Sequence, residues 1–418
     1  MTSAEQKRTA GGRADDRSLA VRAAIDIGNG YVKAAADDVP SIDLPSVTAV
    51  VMGRNRLPLP DKRAGEWAAG DVYNGLDASF ESALVNDRER HILGEAALST
   101  DGSLEQFAID AGTGQSKSAQ PLNYELIYGV VAATALRRWV LAHDGRLPDG
   151  ELNVSLSVAV TLPIAEYEQR RGAYRANLAG KAALVTVHNF ATPVVVRISA
   201  ASPEDVKVVA EGASAQLALT SHGTPLMGLL LKDAEAHGVP VEGYGPEDVL
   251  KAGNIIGIDI GEGTVNFPVF TNGAYNPGAS ATLPYGYGSV LEAAIRDMDD
   301  EGFQSGYTSR KQLADDLLHE PLPMKREFRK RVEGYVARER RFLAGHITAE
   351  FNRLTGLVGS RNEVAYVYGG GASAMKDDLY RQLIDKARSL GFPVLYMDSR
   401  YSRVLNREGL AIAVGLRG

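Results

Sequence analysis

The sequence reads as an α/β protein of two domains facing each other across a cleft. Three segments lead there. Ala24-Ile25-Asp26-Ile27-Gly28-Asn29-Gly30-Tyr31-Val32-Lys33 is an apolar strand, a turn carrying Asp and Gly, and a second strand. Ile256-Gly257-Ile258-Asp259-Ile260-Gly261-Glu262-Gly263-Thr264-Val265-Asn266 repeats that pattern roughly 230 residues later. Val364-Ala365-Tyr366-Val367-Tyr368 then runs through Gly369, Gly370 and Gly371 into a helix starting Ala372-Ser373-Ala374-Met375.

The chemistry of such turns is that of phosphate. Glycine at a strand–turn–strand bend lets backbone N–H groups approach phosphate oxygens with no Cβ in the way. An Asp at the head of each loop, Asp26 and Asp259, can hold hydrated Mg²⁺ between the loops. One Asp-x-Gly hairpin is an ordinary turn. Two behind matching apolar runs, with a glycine platform where a flat base or sugar can pack, make a clamp for a nucleoside triphosphate. Lys33 follows the first turn, and its ammonium can reach a phosphate as a point charge. Gly112-Thr113-Gly114-Gln115-Ser116-Lys117-Ser118 imitates a P-loop but has Lys where the second Gly belongs, and is set aside as a decoy.

Composition narrows the class. The 418 residues allow two domains with large cores, and 44% hydrophobic with 23% charged residues is ordinary globular usage. The absence of cysteine excludes disulfides, thiolate nucleophiles and Cys-based metal sites, and is compatible with a cytoplasmic chain. The seven histidines show no i,i+4 pair, so a histidine metal site is not expected. A net charge of −7 argues against broad direct contact with nucleic acid. No apolar run is long enough to span a membrane, and none resembles a secretory signal at the start. Residues 1–20, polar and mixed in charge, read as a disordered arm.

The elements follow in order. Arg22 to Ile27, Tyr31 to Ala36 and Ser46 to Met52 suggest an opening β-meander, and 54–120 is mixed and glycine-rich. Apolar residues at Leu122, Leu126, Ile127, Val130, Leu136 and Val140 predict a crossover helix over 122–142. Alternation from Leu152 to Val160 predicts a strand, and Glu166 to Leu178 a helix. Strands at 183–187 and 193–198, joined through Asn189, come next. Val206 to Val209, Glu211 and an alanine-rich helix link the halves. Residues 220–254 hold several Gly and Pro around a helix near Met227 to Ala236. A helix opens after Pro284 and runs through Met298. The basic stretch 324–356, with Lys325, Arg329, Arg338 and Arg340 among its cations, reads as a long helix with a largely solvated charged face.

Order and spacing of the three glycine elements resemble the actin-like ATPase superfamily, which includes actin, the seventy-kilodalton heat-shock chaperones and the sugar kinases. Val158 to Glu168, with Thr161-Leu162-Pro163-Ile164-Ala165-Glu166-Tyr167, is similar to the Thr-Leu-Pro-Leu-Thr-Glu-Tyr stretch of the ParM-type plasmid-segregation actins. Asp205 to Gly212 looks like their strand leading to a catalytic Glu, and Val404 to Gly415 like their closing Asn-Gly helix. The resemblance covers roughly residues 21–418. It implies an actin-like, ribonuclease H-like duplicated fold. Domain I would hold 21–219 and 400–418, and domain II 220–399, with 220–254 a probable insertion and 54–120 a variable outer subdomain.

The resemblance also implies roles. Asp26 and Asp259 would hold Mg²⁺, through water, against ATP or GTP. Gly28, Asn29, Gly30 and Lys33 would meet the β- and γ-phosphates, and Gly261, Glu262, Gly263 and Thr264 the γ-phosphate. Gly369, Gly370 and Gly371 would flank the adenosine. Glu211, with Asp259, would orient the attacking water. Two positions depart from the pattern: Glu262 stands where relatives commonly carry Gly, and is expected to point away or to bind metal; Asn266 stands where they often carry Asp. The implied function is an ATPase that assembles head to tail into dynamic cytoplasmic filaments and segregates plasmid DNA. DNA would be contacted only through a small ParR-type adaptor, with no membrane partner. A small-molecule kinase of the same superfamily, or a filament scaffold not linked to plasmids, is the alternative.

Overall fold

The computed structural model describes residues 17–416 apart from 52, 54–55, 108–115 and 398. Most of the expected N-terminal arm, and Gly112 to Gln115 of the decoy loop, lie outside the described residues. Ser18–Ala20, assigned to that arm, already belong to a strand.

Two sheets carry the fold. The first contains β1 (Ser18–Ile27), β2 (Tyr31–Ala36), β3 (Val39–Pro45), β4 (Val47–Val50), β5 (Asp77–Glu81), β6 (Asn86–Leu93), β7 (Ser103–Gln106), β8 (Leu152–Leu162), β9 (Ala183–Val187), β10 (Val194–Ser199) and β11 (Val206–Ala210). Their order is β3-β2-β1-β8-β10-β9-β5-β6-β4-β7, with β11 also on β8. The centre is parallel: β8 pairs in parallel with β1, β10 and β11. Parallel strands need crossovers that cover the faces. The Pro121–Ala142 helix supplies one, and it is buried along most of its length. Pro121 suits its first turn, where no intrahelical N–H is required.

The expected meander is corrected at its third strand. β3 is Val39–Pro45, whereas Val47–Val50 leaves the meander to pair with β6 and β7. Pro45 has no N–H to continue a ladder. The next residue turns away, its N–H donating to the Gly30 carbonyl at 2.9 Å. The 54–120 zone thus extends the first sheet. Within it Thr48 Oγ1 lies 3.4 Å from His91 Nδ1 and donates to Glu125 Oε2 at 3.3 Å, a buried polar contact of two strands with the crossover helix. Glu105 brings a carboxylate to the same group, so His91, Glu105 and Glu125 offer three ligand atoms within 4.8 Å of one another. Helical spacing alone could not have indicated that cluster.

The second sheet contains β12 (Ile255–Ile260), β13 (Val265–Phe267), β14 (Val269–Thr271), β15 (Ala274–Tyr275), β16 (Ala281–Leu283), β17 (Val364–Tyr368) and β18 (Val394–Tyr396). Its order is β15-β14-β12-β13-β16, with β17 parallel to β12 and β18 parallel to β17. Helices Ala215–Ala236, Tyr287–Asp300, Arg326–Val358 and Ala372–Leu390 pack around it. The 220–254 segment is built into this core. Its helix starts at Ala215, breaks at Gly223 (φ 63°) before Pro225, and buries Leu226, Met227, Leu230 and Ala234.

The last helix, Leu405–Ala413, returns to the first sheet, where Leu410 is buried with Ala24, Ala35 and Ala159. It also crosses the Ala215–Ala236 helix at Gly409. A Cβ there would lie 1.8 Å from the Ser214 carbonyl oxygen, backbone that cannot swing aside. Gly409→Ala is therefore expected to destabilise by about 1–3 kcal/mol, the usual range for overpacking. Thermal unfolding should show a lowered Tm.

Candidate nucleotide site between the two sheets

The site is made where strand ends from both sheets meet. Each glycine loop is a tight turn, closed by Gly28 N–H donating to Tyr31 O and by Gly261 N–H donating to Thr264 O, both at 2.9 Å. The two loops touch. A Cβ on Gly30 would lie 1.4 Å from a Glu262 carboxylate oxygen, and one on Gly263 would lie 1.7 Å from the Asn29 amide nitrogen. Glycine is required there by close approach.

The third glycine segment packs on the second loop. Gly371 N–H donates to Ile260 O at 2.8 Å, and Tyr287 N–H donates to Gly261 O at 2.9 Å. Lys33 Nζ lies 3.8 Å from the place a Gly370 Cβ would take. The structure thus brings Asp26, Gly28, Asn29, Gly30, Lys33, Gly261, Glu262, Gly263, Thr264, Gly369, Gly370 and Gly371 around one cleft.

Three acids enter it. Asp26 closes β1 opposite Lys33 and accepts from Thr161 Oγ1 at 3.0 Å. Asp259 sits near the end of β12 and accepts from Asn406 Nδ2 at 2.7 Å. Asn406 is itself held by Ser214 Oγ, 2.9 Å from its Oδ1. Burial pushes the Asp259 carboxyl up to about 7, against the Asn406 hydrogen bond. The charges of Asp26 and Glu211 push it the same way, and Lys33 opposes. Glu211 follows β11, its N–H donating to Leu162 O at 2.7 Å. Its Oε1 accepts from Lys117 Nζ at 3.0 Å and its Oε2 from Asn266 Nδ2 at 3.1 Å. Burial and like charge hold the Asp259 carboxyl above the usual carboxylate range, and a hydrated divalent cation would favour its ionised form.

Glu262 packs its carboxylate against Gly30 of the first loop and pairs with Arg310 at 2.6 Å; Arg310 also binds Glu292 at 2.5 Å. The long helix keeps most of its cations for its own surroundings. Arg338 pairs with Asp297 at 2.7 Å, Arg329 with Asp316 at 3.0 Å, and Arg331 lies over the Phe303 ring. Arg340 reaches the helix that follows the three glycines, 3.4 Å from the Ala374 carbonyl and 2.9 Å from Asp378.

Four participants had no assigned role in the sequence. Thr161 and Asn406 lay inside stretches marked by resemblance alone, and Arg310 carried no signal. Lys117 lay in the loop set aside as a decoy, yet its ammonium reaches both Glu211 and the Ile27 carbonyl.

Residues 24–213 match the family model described as the N-terminal domain of actin-like proteins. No curated protein sequence matches the chain. Among solved structures, the actin-like protein Alp7A superposes with a TM-score of 0.63 at 12% identity, covering 95% of this chain and 96% of that one. A ParM from a 15-stranded filament of Clostridium botulinum gives 0.57 at 17% identity, covering 94% and 99%. Bacillus thuringiensis ParM with ATP gives 0.54 at 16% identity, covering 95% and 98%. At such identities the structures speak for the fold, and the family model for residues 24–213. Residues 24–213 are thus similar to the N-terminal domain of actin-like proteins, and the chain has the two-sheet fold of the ParM-type structures.

Proposed function

We propose that this chain is a nucleoside triphosphatase that assembles into filaments and moves plasmid DNA. The observation that carries this reading is the meeting of Asp26, Asp259 and Glu211 between two interlocked glycine loops. Gly28, Asn29, Gly30 and Lys33 face one side of the phosphates; Gly261, Gly263 and Thr264 face the other. Gly369, Gly370 and Gly371 form the nucleoside wall. Asp26 and Asp259 would hold a hydrated Mg²⁺, which would supply neutralisation of phosphate charge. Glu211 accepts a hydrogen bond from the attacking water and aims it at the γ-phosphate.

Two lobes follow from this reading, with residues 21–219 and 400–418 in one and 220–399 in the other. ParM of the Clostridium botulinum filament and ParM with ATP share the fold, which supports self-assembly and ATP as the nucleotide. Head-to-tail joining of such a chain gives an open helical filament. Between the lobes lies a cavity of about 350 Å³ whose walls include Tyr167, Leu217, Leu250, Phe270 and Tyr275. In this reading a ParR-type adaptor links the filament to DNA, so that DNA is reached indirectly. No described helix is long and apolar enough to cross a membrane, which is compatible with a cytoplasmic filament.

Light scattering with Mg²⁺ and ATP, GTP or a slowly hydrolysed analogue, followed beside phosphate release, tests the reading. A rise on nucleotide addition that decays as phosphate appears is expected. Turnover only with a small-molecule acceptor would move the chain to the kinases. Glu211→Ala is expected to slow phosphate release about 10²–10⁴-fold, the range for removing a general base. The scattering rise should persist and its decay be delayed.

Asp259 adds a pH dependence. Its folded-state value of about 7 lies above its ordinary value of 3.8. The protonated acid therefore favours the folded state fully below pH about 4, and that contribution is lost as pH rises through 7. Without nucleotide, Asp259→Asn should melt higher than the unaltered chain at pH 8 and about equally at pH 4. Mg²⁺-nucleotide should raise the Tm of the unaltered chain more than that of the variant.

A further inference from the structure

Both carboxylate oxygens of Glu211 are held, and the two donors come from opposite sheets. Lys117 belongs to the segment that leads into the first sheet's crossover helix. Asn266 lies on β13 of the second sheet, opposite Asp259. The side chains of Lys117 and Glu211 are 13% and 12% exposed, so their 3.0 Å contact is largely withdrawn from water. A contact so shielded is stronger than a surface pair and less screened by salt.

The orientation of each donor is set from behind. Thr282 Oγ1 donates to Asn266 Oδ1 at 2.8 Å. That assigns the amide so that Nδ2 faces Glu211, with Thr264 Oγ1 a second acceptor at 3.3 Å. An Asp at 266 would instead set two carboxylates in contact. The Lys117 backbone is held by Glu166, whose Oε1 accepts from the Lys117 N–H at 3.0 Å. Glu166 Oε2 accepts from Ser118 Oγ at 2.9 Å and also from Ser116 Oγ. The Lys117 ammonium then bridges Glu211 to the Ile27 carbonyl, at the end of the strand that carries Asp26.

We propose that Lys117 is a positioning residue for hydrolysis, forming with Asn266 a two-donor clamp that aims the Glu211 carboxylate at the attacking water. The proposal rests on the hydrolase reading of the same site. Lys117 acts through Glu211 and Asn266 reinforces it from the other sheet. The clamp takes one donor from each sheet, so turnover depends on how the two sheets are placed around Glu211.

The test is steady-state phosphate release by the full chain with Mg²⁺-ATP, for the unaltered protein and for Lys117→Met, Lys117→Arg, Asn266→Asp and the Met–Asp double variant. Lys117→Met is expected to lower kcat about tenfold, a fraction of the loss expected for Glu211→Ala, with KM for ATP and Tm little changed. Lys117→Arg should recover most of the rate, because it keeps a cationic donor. Asn266→Asp should lower kcat with the same sparing of KM. The double variant should lose less than the product of the single losses, since both act through one carboxylate. A Lys117→Met enzyme with unaltered kcat overturns the clamp and leaves the hydrolase reading standing. So does one whose KM and Tm fall together with kcat without rescue by Arg. An unaltered chain that releases no phosphate overturns both.

Discussion

The burial of Asp259 beside two other carboxylates is the constraint that the rest of the cleft answers. A carboxylate taken out of water next to like charges is costly unless donors and cations surround it. The compensating groups come from distant parts of the chain. Asn406 arrives on the last helix, Lys33 on β2, and Thr161, which serves Asp26, on β8. The return of the C-terminal helix to the first sheet is thus more than closure of a core. It delivers an amide to an acid of the second sheet, while Leu410 anchors the same helix on Ala24 and Ala159. Gly409 lets that helix approach Ser214 closely, and Ser214 in turn holds the amide that serves Asp259.

The interlocking of the two loops has the same logic. Asn29 fills the space left by Gly263, and Glu262 fills the space beside Gly30. Glu262 adds another negative charge to an acidic cleft, and Arg310 offsets it at 2.6 Å. A charge that would repel phosphate is turned into a packing element between the lobes. The long helix behaves differently. Its many cations pair with Asp297, Glu301 and Asp316 or stack on rings, so its charge run is mostly a surface phenomenon, with Arg340 the member that reaches toward the glycine segment.

What was legible in the sequence was local. β1 with β2, β8, β10 and the crossover helix were readable because alternation and helical spacing record which face is buried. The three glycine elements were readable because a turn that must approach another backbone leaves glycine behind. Pairing between distant strands left no such record. The move of β4 from the meander to β6 and β7 is decided by tertiary contacts, and so is the absorption of 220–254 into the second core. Lys117 was passed over for the same reason. Its loop fails the P-loop pattern, and nothing local says that its ammonium ends beside Glu211, 94 residues away in the chain. The Thr48–His91–Glu125 contact joins two strands and a helix, and no spacing rule could have shown it.

The fold alone serves hydrolases and kinases alike, so the distinction lies in the acids of the cleft. A kinase needs a carboxylate free to take a proton from an acceptor hydroxyl. In the first lobe Glu166 is engaged by Lys117, Ser116 and Ser118, and Asp26 by Thr161. Glu211 is held by a donor from each sheet, which orients it firmly but leaves lone pairs for one small molecule. Water meets that demand better than a bulky acceptor. On the proposed reading, Glu211 serves water, and the donors from the two sheets fix the direction in which it does so.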